Sequence, residues 1–148
     1  MNAHVAVLMG GWSAEREVSL TSGRTCALAL RGAGYRVTEI DVDETLTHRL
    51  SGLKPDVVFN ALHGRWGEDG CVQGLLELLR LPYTHSGVRA SAIAMHKPSS
   101  LEMFRAHGIP CAESCLTTPA AVNAKDPMDR PYVVKPSAEG STVGVRIV

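Results

Sequence analysis

The junction at residues 55–79 constrains this chain most. A short apolar run, Val57-Val58-Phe59, lies between Pro55-Asp56 and a glycine-rich stretch, Asn60-Ala-Leu-His-Gly-Arg-Trp-Gly-Glu-Asp-Gly70. Val72, Leu75, Leu76 and Leu79 then recur at the spacing of one helix face. The pattern predicts a buried strand, a loop and a helix. In an open α/β sheet such a loop sits at the carboxyl end of its strand, where ligands bind. Gly64, Gly67 and Gly70 permit tight turns and close backbone approach. Asp69 is placed to cap the helix, whose first N–H groups, with His63 beside them, form an anion site. A plain connector needs glycine, but it does not need a histidine and two carboxylates within eight residues.

The preceding residues repeat the strand–helix alternation. Val5-Ala-Val-Leu-Met9 is a continuous apolar run, as in a parallel strand covered on both faces. Gly10-Gly11-Trp12 follows, with Ser13 as the expected N-cap and Ala14-Glu-Arg-Glu17 as the first helical turn. This helix is expected to reach Arg31, before Gly32 and Gly34, with Val18, Ser22, Cys26 and Ala29 facing inward. Tyr35 to Ile40 alternates as a second strand, and Thr45 to Leu53 is a short helix. The order β-α-β-α-β-α implies a right-handed, Rossmann-like parallel sheet. The first turn departs from G-x-G-x-x-G, which argues against a dinucleotide site there.

Leu81 to Thr84 reads as a short edge strand. Ser86-Gly87 then opens a helix with Val88, Ala92 and Met95 inward. Pro98 interrupts it, so a boundary is expected near His96–Lys97, followed by a helix from Pro98 to about His107 that stops at Gly108. This boundary divides residues 1–95 from residues 96–148. After an extended segment to Leu116 and a polar stretch from Thr117 to Arg130, Tyr132-Val133-Val134 reads as a strand, and Val145 to Val148 as another. Between them lies Lys135-Pro-Ser-Ala-Glu-Gly-Ser-Thr-Val-Gly144. A lysine at a strand end, followed by glycines and hydroxyls, suits phosphoryl groups: Lys135 supplies a point charge, Ser141, Thr142 and loop N–H groups the hydrogen bonds. A flexible hairpin turn is the plainer alternative.

Composition narrows the function classes. The 148 residues are 45% hydrophobic and carry no formal net charge at pH 7. That suffices for an ordinary core and argues against nucleic acid as a partner. No apolar run is long enough to span a membrane, and no signal peptide precedes the first strand, so a cytoplasmic protein is expected. Cys26 and Cys71 fall in helical patterns; Cys111 and Cys115 lack the second pair that a zinc site needs.

Four motifs together resemble the N-terminal half of the D-alanine–D-alanine ligases of the ATP-grasp superfamily. They are Gly10-Gly-Trp-Ser-Ala-Glu-Arg-Glu-Val-Ser19, His63-Gly-Arg-Trp-Gly-Glu-Asp-Gly-Cys-Val-Gln-Gly74, Pro82-Tyr-Thr-His-Ser-Gly-Val-Arg-Ala-Ser-Ala92 and Val134-Lys-Pro-Ser-Ala-Glu-Gly-Ser-Thr-Val-Gly144. The resemblance implies a pre-ATP-grasp α/β domain over 1–95, followed over 96–148 by the start of an α+β ATP-grasp small subdomain. It implies an acyl phosphate made from ATP and D-alanine, then attack by a second D-alanine, for peptidoglycan synthesis. Glu15 resembles the acid that holds the first D-alanine's ammonium, and His63 the residue orienting its carboxylate. Val18 resembles a residue lining the methyl pocket. Lys97 and Lys135 resemble the ATP-phosphate lysines. Ser141 resembles the serine linking the lid to Glu15, with Glu139, Gly140 and Thr142 in the same lid. The family's Mg²⁺ ligands belong to a half that would follow residue 148, so no metal ligand and no turnover are expected from these residues alone. A homodimer through the first domain is also implied. His96 stands where the family usually has Asp before the lysine. Another carboxylate–amine ligase, such as one making D-alanyl-D-lactate, and a non-catalytic binding or dimerisation module share this outline.

Overall fold

A computed structural model describes residues 2–148. The organising element is β1 (His4–Met9), all six of whose residues are buried. It pairs in parallel with β2 (Arg36–Asp41) on one side and β3 (Val57–Asn60) on the other. β3 pairs in parallel with β4 (Tyr83–Thr84), giving the strand order β2-β1-β3-β4. Successive residues of β1 point to opposite faces. Val5, Val7 and Met9 pack with Leu20 and Ala27 of α1 (Arg16–Gly32). Ala6 and Leu8 pack on the other face with Leu46 and Leu50 of α2 (Leu46–Leu53) and Val72 and Leu76 of α3 (Cys71–Leu78). Burial on both faces is why β1 reads as an unbroken apolar run. The expected Rossmann-like α/β sheet is thus present.

The layering also locates the crevice. From β1 the chain leaves to α1 on one face; from neighbouring β3 it leaves to α3 on the other. The loops after two adjacent strands therefore part at the sheet's carboxyl edge, which is the switch point where α/β proteins hold ligands.

Several local expectations are corrected. α1 starts at Arg16, later than Ala14, because the Ser13 hydroxyl accepts the Glu15 N–H at 3.1 Å in a two-residue turn and does not cap a helix at Ala14. Its inward face is Ser19, Leu20, Gly23 and Ala27, one position on from the expected stripe; Val18 is 57% exposed. The phase is fixed by packing: the Ser19 hydroxyl bonds Gly10 and Ala61, and Gly23 lies against Met9 of β1. α1 ends as expected: Gly34, at φ +89°, follows an Ala33 N–H bond to Ala29 and precedes a Tyr35 N–H bond to Leu30. α3 is preceded by Gly70 in the left-handed region, and Asp69 accepts N–H groups of both Trp66 and Cys71. Those two bonds outweigh the burial that would raise its pKa, and the Asp69 carboxyl lies below the usual carboxylate range.

α4 (Val88–Met95) turns only Ser91 fully inward, with its hydroxyl on Ser86 C=O, whereas Val88 and Ala92 are exposed. α5 (Lys97–Ala106) begins one residue ahead of Pro98 and ends before Gly108 at φ +69°. The stretch from 117 to 130, which reads only as polar in the sequence, holds α6 (Pro119–Ala124), whose N-cap Thr118 accepts the Ala121 N–H. β5 (Val133–Val134) and β6 (Arg146–Ile147) close an antiparallel hairpin around the second glycine loop. No helix among the described residues is long and apolar enough to cross a membrane.

Candidate functional site

The site is built on the carboxyl ends of β1 and β3. Glu15 directly precedes α1, where the helix's unpaired N–H groups favour a carboxylate. Its Oε2 lies against two glycines from distant parts of the chain. A Cβ at Gly64 or at Gly140 would fall well inside the 3.0 Å that real Cβ atoms keep from such an atom. Gly64 also has φ +69°. Glycine lets the carboxylate approach both backbones and, at Gly64, also suits the positive φ.

The Gly64 N–H donates to Glu68 Oε2 at 2.7 Å, and Glu68 Oε1 lies 4.0 Å from His63 Nδ1. His63 Nε2 lies 3.2 Å from Ser22 Oγ on α1. His63 therefore faces α1 and Glu68. It does not sit over the N-terminus of α3, as the spacing suggested, because Gly64 reverses the chain right after it.

The loop is braced from beneath. Asn60 Nδ2 and the fully buried Gln73 Nε2 both donate to Gly67 C=O, at 2.9 and 2.8 Å. Gln73 Nε2 is also 3.0 Å from His85 Nδ1. On the other side of the crevice Arg16 grips Asp41 through both guanidinium nitrogens, at 2.7 and 2.6 Å, and donates to Gly11 C=O at 3.1 Å. The Arg16 guanidinium holds the Asp41 carboxyl below its ordinary range. At the rim, Trp12 and Trp66 meet edge-to-face with centroids 6.4 Å apart, and Arg65 stacks 4.6 Å over the Trp66 ring.

The second loop arrives from the hairpin. Lys97, at the start of α5, donates its backbone N–H to Ser137 C=O at 2.8 Å and its ammonium to Glu139 C=O at 2.6 Å. That anchors the segment whose next residue, Gly140, abuts Glu15. Ser141 follows, exposed and at φ +50°, and Thr142 is exposed beside it. Lys135 is exposed at the end of β5. The structure thus brings Glu15, Gly64 and Gly140 together, with His63 beside Gly64 and Lys97 bound to the residue before Gly140. Val18 stands one turn into α1 from Glu15. Among the described residues no group of three or more His, Cys, Asp or Glu is placed to hold a metal ion, so no step through Mg²⁺ is derived from them.

Relatives share this arrangement of sequence. Residues 46–86 match the family model described as D-ala D-ala ligase N-terminus. The chain is 65% identical over 145 residues to a D-alanine--D-alanine ligase of Parvibaculum lavamentivorans, covering 98% of this chain and 47% of that protein. It is 65% identical over 147 residues to the enzyme of that name from Ruegeria pomeroyi, covering 99% and 48%. Over nearly its whole length the chain is thus similar to the N-terminal part of D-alanine–D-alanine ligases. It spans about half the length of the curated relatives it matches. Among solved ligases of the family, that of Bacillus anthracis superposes with a TM-score of 0.79 at 34% identity, over 99% of this chain and 49% of that one. The same enzyme complexed with ATP gives 0.77 at 32% identity, over 99% and 50%.

Sequence reasoning missed the internal braces of the fold. Ser19, Asn60 and Gln73 are buried polar residues whose partners lie on other elements. Nothing local marks them. Only their occurrence at otherwise apolar helix and strand positions hints at a specific bond.

Proposed function

We propose that this chain is the substrate-side domain (1–95) and the beginning of the ATP lid (96–148) of an ATP-dependent D-alanine–D-alanine ligase. The observation that carries this is the Glu15 carboxylate held between the two glycine loops. One loop carries His63 and the other Ser141. An amino acid bound there sits beside the phosphate-suited loop.

The reaction follows from those positions. Glu15 pairs with the ammonium of the first D-alanine and fixes its orientation. His63 orients its carboxylate, and Val18 borders its methyl group. An oxygen of that carboxylate attacks the γ-phosphorus of ATP, and ADP leaves. Lys97, Lys135 and the N–H and hydroxyl groups of Glu139, Gly140, Ser141 and Thr142 meet the phosphoryl oxygens. The amine of a second D-alanine then attacks the acyl carbon. A C–N bond forms, the C–O bond to phosphate breaks, and the amine gives up a proton. Mg²⁺, where bound, would neutralise phosphoryl charge. The product is D-alanyl-D-alanine, used in peptidoglycan synthesis in the cytoplasm, and the whole ligase is a homodimer through this domain.

Calorimetry with D-alanine tests the reading. The chain is expected to bind it, with no ADP release when ATP is added, and Glu15→Gln is expected to lose the heat. Equal heats for the two proteins would favour a module that keeps the fold without the substrate site.

A further inference from the structure

Beyond Met9 and Asn60 the ladder between β1 and β3 ends with the Ala61 N–H bond to Leu8 C=O at 2.9 Å. Two serine hydroxyls carry the joint further, and both do so in the same sense. Ser19 Oγ accepts the Gly10 N–H at 2.8 Å and donates to Ala61 C=O at 2.8 Å. Ser13 Oγ accepts the Glu15 N–H at 3.1 Å and donates to His63 C=O at 2.7 Å. Each accepts a hydrogen bond from the segment after β1 and donates one to the segment after β3. They differ in depth: Ser19 is fully buried, whereas Ser13 is half-buried. Ser13 has a further property. Its two partners are the backbones of the two residues that would hold the opposite ends of an amino acid.

We infer that Ser13 is a positioning residue that sets the span between the Glu15 carboxylate and the His63 imidazole, and thereby selects amino acids whose ammonium and carboxylate share one carbon. The inference rests on the assignment of Glu15 and His63 to those two groups. In D-alanine one carbon separates the charged groups; in β-alanine two do, which adds one C–C bond of about 1.5 Å. One oxygen that bonds both backbones fixes their separation more tightly than that difference. Without it, the Glu15 turn and the His63 turn remain joined through Ser19, the strands below and the contact of the His63 ring with Ser22 on α1. Water can reach the two groups that Ser13 leaves behind, because the site there is half-open, so the fold survives the change. The equivalent change at Ser19 strands a buried N–H and a buried C=O, and reports on folding instead.

The experiment is a ¹⁵N NMR titration of the chain, of Ser13→Ala and of Ser13→Thr with D-alanine and, separately, with β-alanine, with melting temperatures alongside. The unaltered chain is expected to prefer D-alanine, with shifts at Glu15 and His63. In Ser13→Ala, D-alanine affinity falls roughly tenfold, as for one lost positioning hydrogen bond. The preference over β-alanine collapses toward one, and the melting temperature is little changed. Thr, which keeps the hydroxyl, restores the preference. A Ser13→Ala preference within about twofold of the original overturns the inference. Absence of D-alanine shifts at Glu15 and His63 in the unaltered chain overturns the substrate assignment itself, before any variant is compared.

Discussion

Trp66 shows how finely single residues at the rim are balanced. It holds φ +72°, a conformation costing about 1–2 kcal/mol for a residue with a Cβ. Its edge-to-face contact with Trp12 returns about 0.5–1.5 kcal/mol, and the Arg65 guanidinium over its ring about 0.5–1 kcal/mol more at an exposed site. These terms nearly cancel. Trp66→Gly is therefore expected to shift the free energy of unfolding by less than about 1 kcal/mol in urea titrations; a loss of 3 kcal/mol would show that the ring carries structure. At this scale the sequence is legible for residue type and mute about pairing. Glu15 and Lys97 enter only through the family resemblance, whereas His63 and the two glycine loops stand out by chemistry and spacing. Ser13 and Ser19 do not, because the carbonyls that their hydroxyls bond lie 50 and 42 positions away.

Between elements, the close approach of α1 to β1 is the tightest fit. A Cβ at Gly23 would lie 2.5 Å from Met9 Cβ, an atom fixed to the strand backbone. Replacing a helical glycine with alanine favours the helix by up to about 1 kcal/mol. Overpacking costs about 1–3 kcal/mol and wins here. Gly23→Ala is expected to lower the melting temperature by a few degrees in calorimetry; an increase would mean that the helix has room to lift. The strands and the strong helices were readable because burial imprints a period on them. The inward face of α1 was misread by one position because it is set by distant partners: Ser19 bonds Gly10 and Ala61, and Gly23 lies against Met9. α6 escaped notice although Thr118-Pro119 is a regular cap-and-N1 pair, since its six residues, three of them alanine, are too few to show an apolar stripe.

For the whole molecule, stability should depend on pH through His4, the first residue of the inner strand β1. Burial holds its imidazole below the ordinary 6.5, assisted by nearby Arg36 and opposed by Asp56. Nε2 lies 2.9 Å from Thr38 Oγ1, and Nδ1 is buried without a hydrogen-bond partner among the described residues. The unfolded chain therefore takes up this proton first as pH falls through 6.5, and stability declines until the folded imidazole also titrates. His4→Gln is expected to flatten the fall in urea midpoint between about pH 7.5 and 5.5; an unchanged slope would assign it to other groups. The deeper acid loss, as Asp41 and Asp69 protonate below the ordinary carboxylate range, should persist in that variant.

Because all four strands run the same way, every catalytic candidate after β1 and β3 emerges from one edge, and His4 begins at the opposite one. The six residues of β1 put about 20 Å between them. A sensor chip or an optical trap attached ahead of His4 would hold the molecule by its blunt end, leaving the crevice facing the bulk.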